Sequence, residues 1–362
     1  MKKELKDWIV PWLYTSREYN VGILDKAWAN PDYARLMLNE NPIQPSEKVV
    51  AAVADAIRDG NRYPDSFLRL RTKIGDMYGL GPDNVALCNG SSETIDAMMR
   101  LFLQPGDEFM LSTPTFELFP PRAELCNAKV VQIPVREEDL QYDVDGMLDS
   151  INDRTKLILI INPNNPTGVF IEDDDLERFC ETGVPICVDE AYLDYNTDRP
   201  SKADLIKKYP QVFLSVTFSK AYGFAGVRFG FVLGNEEMIA AFNRMFLPWN
   251  VSLMSAAAAE AIIDNPDEVK EKVAHNNKWM AIFTEELQKL GLKPYPANGN
   301  YMLIDGTMTG KSTEEILKAA LDEKIYLKKI GKIHGKTGYF RVTPGTDAEN
   351  EKFLKFIRSY FA

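Results

Sequence analysis

The stretch Lys156-Leu157-Ile158-Leu159-Ile160-Ile161-Asn162-Pro163-Asn164-Asn165-Pro166-Thr167-Gly168 decides the fold. The aliphatic run from Leu157 to Ile161 leaves no polar face. It therefore reads as a strand buried on both sides between helical layers. The turn that follows has two prolines, which restrict the backbone path, and asparagines whose amides can hydrogen-bond a ligand. In open parallel sheets ligands bind beyond the carboxyl ends of the strands. A buried strand that runs straight into a rigid polar turn thus marks both a fold and a candidate site.

The same pattern repeats on either side. Short apolar runs predict strands at 84–89, 108–112, 129–135, 156–161, 185–189, 212–217 and 228–233. Helices are expected between them, for example at 92–103 and at 172–181, where Asp173-Asp174-Asp175 suits a helix N-terminus. This alternation predicts an α/β fold with a large, doubly wound, mostly parallel sheet. The ends differ. Residues 1–38 read as an irregular, aromatic-rich arm, with Trp8, Trp12, Tyr14, Tyr19 and Trp28. From about 250 the pattern becomes a long helical region at 256–290, short strands, a helix near 312–321, more strands and a last helix from Asp347. The expected organisation is a large domain at 39–249 and a smaller α+β domain built from 1–38 and 250–362. Two domains suit 362 residues at roughly 100–200 residues each.

Composition narrows the chemistry. With 42 Lys+Arg against 53 Asp+Glu the formal net charge is −11, which argues against a nucleic-acid surface. Only two histidines, His275 and His334, are present, so a multi-His metal site within one chain is excluded and no metal is expected. Cys88, Cys126, Cys180 and Cys187 have no CxxC spacing and read as free thiols. No stretch approaches the ~18 apolar residues of a membrane span, and Met1-Lys2-Lys3-Glu4 opens no leader-like segment. A cytoplasmic protein is expected. Gly306-Thr307-Met308-Thr309-Gly310-Lys311-Ser312 imitates a phosphate loop but has three residues between its glycines instead of four. It reads as a turn capping a helix that starts near Ser312. Asn250-Val251-Ser252 is a glycosylation sequon by letters only.

The residues that follow each predicted strand form a coherent set. Asn89-Gly90-Ser91-Ser92-Glu93 is a Gly/Ser turn entering a helix, suited to a phosphate or simply to an N-cap. Phe116, on the turn Thr113-Pro114-Thr115-Phe116, can stack on a flat ring. Asn165 presents its amide, and Asp189 emerges from a buried strand where a carboxylate needs a cationic partner. Tyr192 stands three residues on. Lys220, beside Thr217 and Ser219, is a candidate amine nucleophile, and Arg228 follows eight residues later. Each charged residue alone could be a surface ion pair; their joint occurrence at strand ends makes that reading poor. One ligand answers the whole set. Pyridoxal 5'-phosphate combines a phosphate, a flat ring, a phenolic oxygen, a ring nitrogen and an aldehyde.

On these residues the chain resembles the fold-type I, class I/II pyridoxal-phosphate aminotransferases, and within them the histidinol-phosphate aminotransferase family. The similarity extends through Leu38-Asn39-Glu40-Asn41-Pro42, Asn61-Arg62-Tyr63-Pro64-Asp65, Val188-Asp189-Glu190-Ala191-Tyr192, Thr217-Phe218-Ser219-Lys220-Ala221, Ala225-Gly226-Val227-Arg228-Phe229-Gly230 and Phe340-Arg341-Val342-Thr343-Pro344-Gly345. The resemblance implies that Lys220 binds the cofactor aldehyde and then moves protons, and that Asp189 holds the ring nitrogen. It implies that Tyr192 and Asn165 meet the phenolic oxygen and that Phe116 stacks on the ring. Ser91, Ser92, Thr217, Ser219 and Arg228 would hold the phosphate. Tyr63 would reach the neighbouring subunit's cofactor, which implies a homodimer. Arg341 would bind the anionic end of the substrate, with Asn165 beside it.

Departures fall on the substrate side: Lys328 stands where the family carries an arginine, Trp12 aligns with a family tyrosine, and Ile43-Gln44 replaces Tyr-Gly. The implied reaction is ping-pong amino transfer between L-histidinol phosphate and 2-oxoglutarate, in histidine biosynthesis. Alternatives are another aromatic or basic amino donor, a threonine-phosphate decarboxylase-like lyase, or a ligand-sensing module.

Overall fold

The computed structural model describes residues 4–362, so residues 1–3 of the N-terminal arm lie outside the described residues. Among the described residues the strands are, in chain order, β1 Ala34–Leu36, β2 Val85–Cys88, β3 Glu108–Thr113, β4 Lys129–Pro134, β5 Thr155–Ile161, β6 Ile186–Asp189, β7 Val212–Thr217, β8 Gly230–Leu233, β9 Lys293–Pro294, β10 Met302–Asp305, β11 Ile325–Lys329 and β12 Tyr339–Val342. They build a seven-stranded sheet, β2-β8-β7-β6-β5-β3-β4, and a five-stranded sheet, β1-β11-β12-β10-β9.

The large sheet has the two-sided burial that Leu157–Ile161 predicts. Ile158 and Ile160 enter one apolar core with Ile186, Val188, Val212 and Leu214. Leu157, Leu159 and Ile161 enter the core on the opposite face with Cys187 and Phe213. Side chains of successive residues point to opposite faces, so a strand sandwiched between helices must be apolar throughout. β3, β4, β5, β6 and β7 pair in parallel, and β8 is antiparallel to both of its neighbours. Reversing β8 brings the start of that strand to the end of the sheet where the parallel strands finish.

Several elements differ from the sequence reading. The last predicted strand of the large sheet begins at Gly230 instead of 228, because Arg228 takes φ +63° and turns inward. The expected helix 256–290 is two helices, Leu253–Ile263 and Pro266–Lys289. They are divided at Asp264-Asn265, because proline lacks the N–H that would continue the first helix and is accepted at the start of the second. The first of these helices places Ala256, Ala258, Ala259 and Ile262 in a core of the large sheet, so that core extends past residue 249. The second changes partner along its length: Val273 joins the large core, while Trp279, Met280, Phe283 and Leu287 join that of the small sheet. The N-terminal arm is more regular than expected, with a helix at Gly22–Ala29 and β1 paired in parallel with β11. Three residues of strand supported by a distant partner leave no local pattern to read.

The turn at Gly306–Ser312 behaves as the sequence suggests. Gly310 has φ +70°, and Ser312 caps the helix Thr313–Asp322 in a reciprocal capping box with Glu315. All four cysteines are free thiols; Cys88, Cys180 and Cys187 are buried and Cys126 is partly exposed. Among the described residues no helix is long and apolar enough to cross a membrane.

Candidate active site

Residues that follow β2, β3, β5, β6 and β7, with Arg228 before the reversed β8, converge on a cavity of about 150 Å³. Its lining contains Ser91, Ser92, Phe116, Asn165, Asp189, Tyr192, Thr217, Ser219, Lys220 and Arg228. A cleft of about 870 Å³ shares Phe116, Asn165, Tyr192, Lys220 and Arg228 with it, and adds Arg341, Lys328 and Tyr19.

At the base, Asp189 closes β6 and is 5 % exposed. Its Oδ1 accepts the Ala191 N–H at 2.9 Å. Burial pushes the carboxyl up to about 6, with that hydrogen bond and Lys220 pulling it back. A buried carboxylate in this state favours a protonated ring nitrogen as its partner. The Tyr192 hydroxyl accepts two amide N–H bonds, from Asn39 at 2.9 Å and Asn165 at 3.1 Å. Both amide orientations are set from behind. Asn39 Oδ1 takes the Thr343 hydroxyl at 3.0 Å, and Asn165 Oδ1 takes Arg341 Nη1 at 2.6 Å. The Tyr192 proton is therefore left to donate into the cavity, and burial pushes that hydroxyl up to about 12.

Lys220 Nζ stands 3.2 Å from the Asn39 carbonyl and 3.4 Å from that of Leu38. Burial, followed by the positive charge of Arg341, lowers its ammonium to about 8. That leaves a useful fraction of neutral amine near neutral pH, the state that attacks an aldehyde.

The phosphate end is built from backbone as much as from side chains. Gly90, at φ +75°, precedes the helix Ser91–Phe102 and caps it with no side-chain bond. Free N–H groups of the first turn and the helix dipole then suit an anion. Arg228 Nη2 lies 3.5 Å from Ser92 Oγ, its Nη1 is held by the Ala225 carbonyl at 2.9 Å, and Thr217 Oγ1 lies 2.9 Å from Ser219 Oγ. These residues fit pyridoxal 5'-phosphate at every position: a cradle for the phosphate, a carboxylate for the ring nitrogen, a hydroxyl for the phenolic oxygen and an amine for the aldehyde.

Arg341 is buried, gives Nη2 to the Met37 carbonyl at 3.0 Å, and keeps Nε without a partner. Lys328 lines the cleft but is bound to Glu117 at 2.9 Å. Trp12 is not at this site. Its indole N–H donates to the Leu125 carbonyl at 2.9 Å, and Tyr19, edge-on to Phe116 at 6.3 Å, occupies the cleft wall instead. Within this chain Trp12 thus packs against Leu125 and not in the cleft, which the arm reaches at Arg17 and Tyr19. Tyr63 does not line this chain's cavity. It is 77 % exposed and stacks on Trp249 with ring centroids 4.3 Å apart. Asn39 and Tyr19 are contributors that strand-end reasoning does not find, although Asn39 lies within the quoted motif Leu38–Pro42.

Similarity to known proteins agrees with this geometry. Residues 31–357 match the family described as aminotransferase class I and II. The chain is 33 % identical over 331 residues to histidinol-phosphate aminotransferase 2 of Carboxydothermus hydrogenoformans, covering 90 % of each chain. It is 33 % identical over 326 residues to histidinol-phosphate aminotransferase 1 of Mannheimia succiniciproducens, covering 88 % of this chain and 87 % of the relative. In fold it is similar to the Sinorhizobium meliloti histidinol-phosphate aminotransferase solved with pyridoxal-5'-phosphate, at a TM-score of 0.86 and 23 % identity over 97 % of this chain and 98 % of that one. With a lysine, a carboxylate and a phosphate cradle meeting in one cavity and a match spanning nearly the whole chain, this protein belongs to the class I and II aminotransferases.

Proposed function

We propose that the enzyme moves an amino group between L-histidinol phosphate and 2-oxoglutarate, acting in the cytoplasm as a homodimer in histidine biosynthesis. The observation that carries this reading is the placement of two cations, Arg341 and Lys328, side by side on the cleft wall that Lys220 also lines. The names of the relatives support the choice of donor. Bound pyridoxal phosphate supplies the aldehyde that accepts the amino group and a ring that withdraws electrons from the donor's α-carbon.

The chain's own residues do the rest. Asp189 keeps the ring nitrogen protonated, and Tyr192 with Asn165 orients the phenolic oxygen. Phe116 covers the ring, while Ser91, Ser92, Thr217, Ser219 and Arg228 retain the phosphate. Lys220 is the base that removes the α-proton and the acid that returns it on the other side of the transfer. Arg341 holds the substrate's anionic group. Tyr63, from a second copy, completes the phosphate contacts.

Lys220→Ala should remove the absorbance of covalently bound cofactor near the visible edge and lower turnover by roughly a thousandfold or more. A variant that kept full turnover would refute the assignment. The donor is tested by adding histidinol phosphate, histidine and phenylalanine to the purified holoenzyme and following loss of that absorbance. Histidinol phosphate is expected to react fastest. A faster reaction with either amino acid overturns the donor, and stoichiometric CO₂ release without 2-oxo acid consumption assigns a lyase instead.

A further inference from the structure

Lys328 and Arg341 are directly opposite each other in the β11–β12 register. Both side chains therefore leave the same face of the small sheet, and both line the cleft. Like charges at that spacing repel. Arg341 answers the problem with neutral acceptors, Asn165 Oδ1 and the Met37 carbonyl. Lys328 answers it with a carboxylate, Glu117 Oε2, at 2.9 Å. Glu117 arrives from the large-sheet side, one residue beyond Phe116 on the segment that follows β3, so the pair links the two sides of the cleft lining. The Glu117 side chain is 60 % exposed and that of Lys328 24 %. The carboxylate is thus the partner that can move into water while the ammonium stays on the wall.

We propose that Glu117 is a specificity-determining residue: it is the exchangeable counter-ion of Lys328, and by competing for that ammonium it sets how strongly the site prefers ligands with two anionic groups over ligands with one. The inference rests on the reading above that Arg341 and Lys328 face the anionic groups of the substrate. A ligand with a single carboxylate is met by Arg341 and leaves the Glu117–Lys328 pair intact. One with a second anionic group at Lys328 must displace Glu117 or bind against its charge. A dicarboxylic acceptor, and a donor whose single phosphate dianion meets both Arg341 and Lys328, are affected in the same sense, because the competition is for one ammonium.

The test compares glutarate with pentanoate, which have equal carbon chains and two carboxylates or one. Their binding to the holoenzyme is read from competitive inhibition and from the change in bound-cofactor absorbance. Glu117→Gln keeps size and removes charge; because Arg341 also feels that charge, the readout is differential, and glutarate should tighten roughly two- to fivefold more than pentanoate, the range of an exposed ion pair. Lys328→Met should weaken glutarate, and adding Glu117→Gln to it should recover no more for glutarate than for pentanoate, since the preference acts through Lys328. If Glu117→Gln leaves glutarate unchanged while Lys328→Met weakens it, the counter-ion role is overturned and the reading of Lys328 stands. If neither variant moves glutarate, both fall. Equal tightening of both ligands by Glu117→Gln also overturns the proposal, because a general change of charge would explain it.

Discussion

Gly90 shows how closely backbone and side chain are fitted at the phosphate end. It holds φ +75°, and a Cβ there would stand 2.8 Å from Arg228 Cζ. Alanine at that position costs about 1–3 kcal/mol in backbone strain, because φ +75° with ψ 163° is adopted almost only by glycine, and it pushes the guanidinium off the cradle. Gly90→Ala should therefore weaken pyridoxal phosphate binding by roughly tenfold, the factor that 1.4 kcal/mol represents, with the far-UV spectrum unchanged; a cofactor titration of the apoprotein reads it. Lys220 offers a second check. With its ammonium lowered to about 8, the apoprotein should capture pyridoxal phosphate about fivefold faster at pH 8 than at pH 7 and level off above, because only the neutral amine attacks. The sign for stability follows the same shift: between about 8 and the ordinary lysine value the unfolded chain holds more protons, so the apoprotein gains stability as pH rises through that window. Asp189 and Lys220 are legible in sequence because they lie at or just beyond the end of a strand whose burial is written in local composition, and Arg228 because it stands just before such a strand. Asn39 and Tyr19 are not, since their positions depend on β1 and the arm docking against chain far away.

At the scale of elements, the turn after β5 joins the two sheets. Asn298 Nδ2 donates to the Gly168 carbonyl at 2.8 Å, and the Tyr301 hydroxyl donates to the Asn164 carbonyl at 2.6 Å. Gly168 has φ +75°, and a Cβ would run into the Pro296 carbonyl, a backbone atom that cannot rotate away. Gly168→Ala should cost about 2 kcal/mol or more and lower the thermal midpoint of the holoenzyme by roughly 3–6 °C, read by calorimetry. The same variant should slow turnover, because Asn165 sits on that turn and orients both Tyr192 and Arg341. The strands of the large sheet are visible in sequence because burial on both faces demands unbroken apolar runs. The direction of β8 is not visible, because hydrophobic pattern carries no sign of parallel or antiparallel pairing. The break at Pro266 has a clear signal in the proline itself, which a periodicity reading over 256–290 passes over.

For the whole molecule, a net charge of −11 describes the surface, while Lys220, Arg228, Lys328 and Arg341 collect in one cleft and form a local anion site. The surface also carries an apolar feature left uncovered among the described residues. Tyr63 at 77 % exposure stacks on Trp249 at 58 %, and Leu247, two residues earlier in the chain than Trp249, is 74 % exposed. In the proposed homodimer a two-fold axis would bury this patch and bring each Tyr63 to the other copy's phosphate cradle. Two substitutions separate assembly from contact. Trp249→Glu places a charge in the patch and should reduce the sedimenting species from two chains to one at micromolar concentration, with loss of cofactor. Tyr63→Phe keeps the ring that stacks on Trp249 and removes only the hydroxyl. It should leave the dimer intact yet release pyridoxal phosphate several-fold faster, the effect of one lost hydrogen bond to a charged group. A Trp249→Glu chain that is monomeric and retains cofactor and turnover would show that each site is complete within one copy, and Tyr63 would then be a surface residue only.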